Sequence, residues 1–111
     1  MFSFYIIIAT VPTLEIFPGV NLPMAGLGTW LYNDTRAGAA VELALSLGYV
    51  HIDTAFDYQN SAGIGKALAA AKTKYGRDRS SYFITTKVEG ALNYSHTIWE
   101  HDDNLAKLAR S

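Results

Sequence analysis

There is no cysteine among the 111 residues. That absence excludes a disulfide framework, a thiolate zinc site and a cysteine nucleophile together. It leaves the redox compartment open, since a chain without thiols suits either side of a membrane. Charge of one sign is equally scarce. Nine Lys and Arg against ten Asp and Glu leave a formal charge of -1, so there is no basic field to hold a polyanion and nucleic acid is not an expected partner. The apolar run at the start, Phe2 to Ala9, is far too short to cross a bilayer as a helix. Nothing before it is basic, as a signal peptide would require. Residues 1–10 are therefore read as an apolar extension, with a weak signal remnant as the alternative. The expected location is cytoplasmic, with secretion as the alternative and no membrane partner.

Two cofactor fingerprints are missing as well. The pairs Gly26/Gly28 and Gly63/Gly65 do not extend to GxGxxG, and Gly65-Lys66 lacks the spacing and the following hydroxyl residue of a phosphate loop. His96, His101, Asp102 and Asp103 are poorly spaced to converge on one ion from a helix, so no metal site is expected. The triplets Asn33-Asp34-Thr35 and Asn93-Tyr94-Ser95 fit the glycosylation acceptor pattern, one common by chance.

Half of the chain is apolar, enough for one domain with a core, here residues 11–111. Leu14–Phe17 and Leu22–Met24 flank the turn dipeptide Pro18-Gly19 and read as a hairpin. Ala25–Trp30 is a third short apolar piece. Ala37, Ala40, Val41, Ala44 and Leu45 then follow helical spacing, with Asp34 placed as cap and Gly48 as left-handed terminator. Tyr49–Ala55 reads as a strand. A second helix carries Ile64, Ala67, Leu68 and Ala71 on one face, with Ser61 near its start and Gly76 past its end. Arg77–Ser81 is a charged loop and Tyr82–Val88 the next strand. Thr97 to Glu100 has capping-box spacing and predicts a third helix with Ile98, Leu105 and Leu108 inward. Alternating strands and helices of this length imply βαβ units and a parallel sheet. Two or three units do not close a barrel, which takes about 250 residues.

Three residues stand apart chemically. Asp53 and Lys87 lie near the C-terminal ends of successive strands, which are about 4.8 Å apart when paired. Tyr58 follows in the loop after the first of them. A phenol with an ordinary pKa of about 10 is a poor acid at neutral pH. An adjacent ammonium favours the phenolate, and a carboxylate holds the ammonium in place. Such a tyrosine can give a proton to a carbonyl oxygen as hydride reaches the carbon. An ion pair joining strand ends beside an unrelated tyrosine is the plainer alternative.

The surrounding residues favour the first reading. Gly48 to Leu68 (GYVHIDTAFDYQNSAGIGKAL) closely resembles the signature of the aldo-keto reductases. Phe83-Ile84-Thr85-Thr86-Lys87 is similar to that family's lysine-bearing strand. Leu22-Pro23-Met24 and Gly26 to Trp30 resemble its N-terminal hairpin and first barrel strand. Val50 departs from the pattern, where a basic residue is usual, and so does Ser61, where glutamate is usual.

The resemblance implies an α/β fold, the N-terminal part of a (β/α)8 TIM barrel comprising a hairpin and roughly three βα units. It implies NADPH-dependent reduction of a small aldehyde or ketone to an alcohol. Tyr58 would be the proton donor, Lys87 its activator and Asp53 the partner of Lys87. Gly28 and Thr29, with Asp53, would adjoin the nicotinamide, and Trp30 and Asp57 would face the substrate pocket. The family's catalytic histidine and main phosphate contacts are expected after the third helix, beyond Ser111. An inactive fragment, or a non-catalytic barrel module binding cofactor or partner, is the alternative. Self-association through an open sheet is expected of the piece alone.

Overall fold

The computed structural model describes residues 10–108; the apolar run Phe2 to Ala9 lies outside them. Strands β1 (Thr13–Phe17) and β2 (Val20–Pro23) form the expected antiparallel hairpin, with Leu14 opposite Leu22 and Glu15 opposite Asn21. Gly19 takes φ +79° at the turn, and its N–H donates to the Glu15 carboxylate at 2.9 Å. Met24 falls just beyond β2, where its N–H donates to the Pro12 carbonyl at 2.8 Å.

Strands β3 (Leu27–Gly28), β4 (His51–Asp53) and β5 (Phe83–Thr85) form a parallel sheet in the order β3-β4-β5. The regular strands are shorter than expected, yet their pairing runs on at both ends. Phe83 N–H donates to Val50 C=O at 2.7 Å, Thr54 to Thr85 at 2.8 Å and Phe56 to Lys87 at 2.9 Å. Among the described residues the sheet is open, with β3 and β5 as its edges. Helix α1 (Asp34–Ser46) joins β3 to β4, and α2 (Ser61–Tyr75) joins β4 to β5. Parallel strands need such crossovers. Helix α3 (Tyr94–Leu108) follows β5. No helix among the described residues is long and apolar enough to cross a membrane.

The apolar stripes read from the sequence pack, except that Ala40 is only partly buried and lies outside the core cluster. Ala37, Val41, Ala44 and Leu45 of α1 meet Ile64, Ala67, Leu68 and Ala71 of α2 and Ile52 of β4 in one buried cluster. Gly48 at φ +91° and Gly76 at φ +63° terminate the two helices as expected.

Three expectations are corrected. Asn33, with extended backbone, caps α1 by accepting from Arg36 N–H at 2.9 Å. Asp34 is instead the first helical residue, and its carboxylate accepts from Gly63 N–H at 2.7 Å. The capping box does not form, because α3 begins four residues earlier, at Tyr94. Asn93 accepts from His96 N–H at 2.9 Å, and Glu100 turns inward to accept from Glu89 N–H at 2.9 Å. Both asparagines of the acceptor triplets are thus helix caps. Finally, Ile98 and Leu105 are exposed while Glu100, Asn104 and Leu108 are buried. A polar stripe faces inward because Asn104 has partners there: it accepts from the Ser61 hydroxyl at 2.6 Å and donates to Thr86 Oγ1.

Gly63 sits where α2 starts against α1. A Cβ there would lie 2.1 Å from the Asp34 carbonyl oxygen, which is backbone and cannot swing away. Gly63→Ala is therefore expected to destabilise the fold by about 1–3 kcal/mol, the usual range for overpacking. Gly90→Ala, which meets nothing within 4 Å, is the control. Chemical denaturation of the two variants reads the difference, and equal midpoints would refute the close approach.

Candidate active site

The C-terminal ends of β3, β4 and β5 share one rim because the strands are parallel. Asp53 ends β4, opposite Gly28 of β3 and Thr85 of β5. The backbone bond from Phe56 to Lys87 holds the next loop beside the continuation of β5. There Phe56–Tyr58 make one turn of 3-10 helix, which folds Tyr58 back over the strand ends.

The three chemistry-bearing residues meet. Lys87 Nζ donates to Asp53 Oδ1 at 2.5 Å, to the Thr54 carbonyl at 3.0 Å and to the Tyr58 hydroxyl at 3.4 Å. It also lies 5.1 Å from the centre of the Tyr58 ring. An ammonium has three donors and no acceptor, so each of its hydrogens has an oxygen. The phenol oxygen accepts from Lys87, which leaves its own hydrogen free for another acceptor. Partial burial works against the lysine's charge, but hydrogen bonds to Asp53 and Tyr58 and the Asp53 charge outweigh it, and Lys87 titrates above its ordinary value. The pair is half exposed, and exposed pairs contribute no more than about 1 kcal/mol to stability. Its consequence is placement of the ammonium.

The other expected site residues are distributed as follows. Gly28 has nothing within 4 Å of the space a side chain would fill, so a flat ring can approach its backbone. Thr29 is fully buried, and its hydroxyl and N–H both donate to the Asp53 carbonyl, at 3.0 and 3.1 Å. Trp30 is 67% exposed and lies outside the buried cluster. Asp57 is exposed next to Tyr58. The Glu100 charge, followed by burial and the Asp57 charge, raises the Glu89 carboxyl above its ordinary value. His51 packs within the strand layer. Its Nδ1 lies 3.0 Å from the Pro23 carbonyl and its Nε2 2.8 Å from Thr85 Oγ1. Among the described residues no group of three or more acidic or histidine side chains is arranged to hold a metal.

Sequence reasoning missed Asn60, which is completely buried beside this rim. It also missed the Thr54 main-chain carbonyl as a lysine partner. A carbonyl leaves no mark in a sequence. The sign for Asn60 was a polar residue standing between the 3-10 turn and an apolar helix.

The Aldo/keto reductase family matches residues 24–109. The chain belongs to that family. A methylglyoxal reductase of Yersinia pestis is 42% identical over 77 residues, which are 69% of this chain and 26% of that protein. A solved aldo/keto reductase of Brucella melitensis is 39% identical with a TM-score of 0.79, and the match covers 90% of this chain and 38% of that one. An aldo-keto reductase of Bombyx mori, solved in complex with NADP, is 27% identical with a TM-score of 0.80, covering 92% of this chain and 36% of the other. The chain thus spans between a quarter and two fifths of the length of these aldo/keto reductases.

The raised value of Lys87 has a definite pH signature. Stabilisation from its pairing is complete below the ordinary lysine pKa of 10.5 and fades only as pH climbs through the higher folded value. NMR titration of the lysine side-chain resonances should give Lys87 a midpoint above 10.5, and Asp53→Asn should bring it down. A midpoint that Asp53→Asn leaves in place would contradict the pairing.

Proposed function

We propose that these residues supply the acid half of a carbonyl reductase, in which a small aldehyde or ketone becomes an alcohol at the expense of NADPH. The observation that carries the proposal is the Lys87 ammonium held between the Asp53 carboxylate and the Tyr58 phenol at the parallel strand ends. Gly28, whose missing side chain leaves room, would with Thr29 and Asp53 hold the nicotinamide, which would supply hydride to the carbonyl carbon.

The chain's own part is the proton. A carbonyl oxygen placed at Tyr58 accepts the phenol hydrogen as negative charge develops on it. The phenolate left behind faces Lys87, whose ammonium already donates to that oxygen and stabilises the charge. Asp53 and the Thr54 carbonyl keep the ammonium from following the substrate. Solvent returns the proton to Tyr58. Trp30, which follows β3, and Asp57, in the turn after β4, would contact the substrate. NADPH as coenzyme is supported by the Bombyx mori relative, which was solved with NADP. The reductase name of the Yersinia pestis relative supports a small carbonyl as substrate.

Tyr58→Phe tests this reading. Reduction should fall by about 10²–10⁴-fold, the usual contribution of a positioned general acid, while NADPH still quenches tryptophan emission. Quenching without turnover in the parent protein would instead favour a module that senses the cofactor. Self-association belongs to the same proposal. The outer sides of β3 and β5 carry unpaired backbone groups among the described residues, and such edges recruit further strands. Light scattering on the chain alone should report oligomers. A monodisperse monomer with a cooperative melt would speak against it.

A further inference from the structure

The turn that leaves β3 is closed by a strained residue. Tyr32 N–H donates to the Thr29 carbonyl at 3.3 Å, and Leu31, the third residue of this turn, has φ +64°. Turns with that geometry call for glycine or asparagine, because a side chain in the left-handed region crowds its own carbonyl. A second non-glycine residue in the same region, Gln59 at φ +53°, stands directly before Asn60. Such conformations persist only where the surroundings over-determine them.

Asn60 is what surrounds the turn. With no exposed surface, it spends both amide hydrogens on it, donating to the Thr29 carbonyl at 2.8 Å and the Tyr32 carbonyl at 2.9 Å. Its Oδ1 accepts from the Thr54 hydroxyl at 3.1 Å. It occupies the N-cap of α2, yet its side chain caps nothing there. Thr54 in turn presents its carbonyl to Lys87 at 3.0 Å. One buried amide therefore ties both ends of the turn bearing Trp30 to the residue next to Asp53.

We propose that Asn60 is a positioning residue for the carbonyl pocket: it holds the Thr29–Tyr32 turn in its strained form and so fixes Trp30 beside the Tyr58–Lys87 rim. The effect on turnover rests on the carbonyl-reductase reading, whereas the hold on Trp30 does not. Asn60 is sealed off from solvent, so it acts through Trp30 and Thr54.

The test uses a Trp99→Phe background, in which Trp30 is the only remaining indole of the two. Asn60→Ala should lower the fluorescence anisotropy of Trp30 and increase its quenching by iodide. It should raise the KM for a carbonyl substrate roughly tenfold and change kcat by less than about threefold, the pattern of lost binding common to ground and transition states. Adding Leu31→Gly should restore part of the anisotropy, since glycine adopts the left-handed region without strain. General loss of packing would not be rescued in that way. If circular dichroism shows Asn60→Ala unfolded, Thr54→Val, which removes only the hydroxyl that orients the amide, is read by the same measurements. Unchanged anisotropy and KM in a folded Asn60→Ala, or in Thr54→Val where that variant stands in, would overturn the proposal. A parent without carbonyl reduction would overturn the functional reading alone, because the anisotropy arm requires no turnover.

Discussion

The geometry of this rim centres on one lysine ammonium whose three hydrogens each have a protein oxygen within reach. Lys87 finds a carboxylate, a main-chain carbonyl and a phenol on the one stretch of chain from Asp53 to Tyr58. They converge only because β4 and β5 pair in parallel and remain paired beyond their regular part, to Phe56 and Lys87. Side chains alternate between faces along a strand, so a register slip of one residue would send Lys87 to the opposite face from Asp53. The core fixes that register. Ile52 of β4 is fully buried against the α1 and α2 stripes and does not turn outward without losing its packing.

The features readable in advance were those that a short window of sequence encodes. Helical periodicity gave the buried stripes of α1 and α2, and Gly48 and Gly76 gave their ends. Alternation of strands and helices gave parallel pairing. The Asp53–Tyr58–Lys87 group came from residue types at strand ends together with a resemblance in the surrounding segments, and those three side chains do meet. The choice of N-cap was less legible. Asn33 and Asp34 are adjacent and both suited to the position, and backbone conformation decides between them.

What stayed hidden depends on contacts between distant polar residues. Ser61, Asn104 and the partly buried Thr86 join in one chain of hydrogen bonds, and Glu100 reaches back to Glu89 N–H. Each of these residues, read alone, is a polar side chain with no local mark of facing inward. A periodicity argument assigns the inward face of α3 to its apolar residues, whereas here satisfied hydrogen bonds set its orientation and leave Ile98 and Leu105 outside. Asn60 is the same kind of residue. Its two donors and one acceptor find partners 28, 31 and 6 positions away in sequence, a pattern that no local rule contains.

The Asp34 carboxylate has a consequence for how the rim can vary. It lies in the first turn of α1 while accepting the Gly63 N–H from the first turn of α2, so one side chain sets where both helices begin. The segments leading into them carry Trp30 and Tyr58. With both downstream ends pinned to a common point and both upstream ends pinned by the sheet, neither segment can gain or lose a residue by letting its helix slide. A change in the length of either span would have to be taken up within the loop itself and not by its helix.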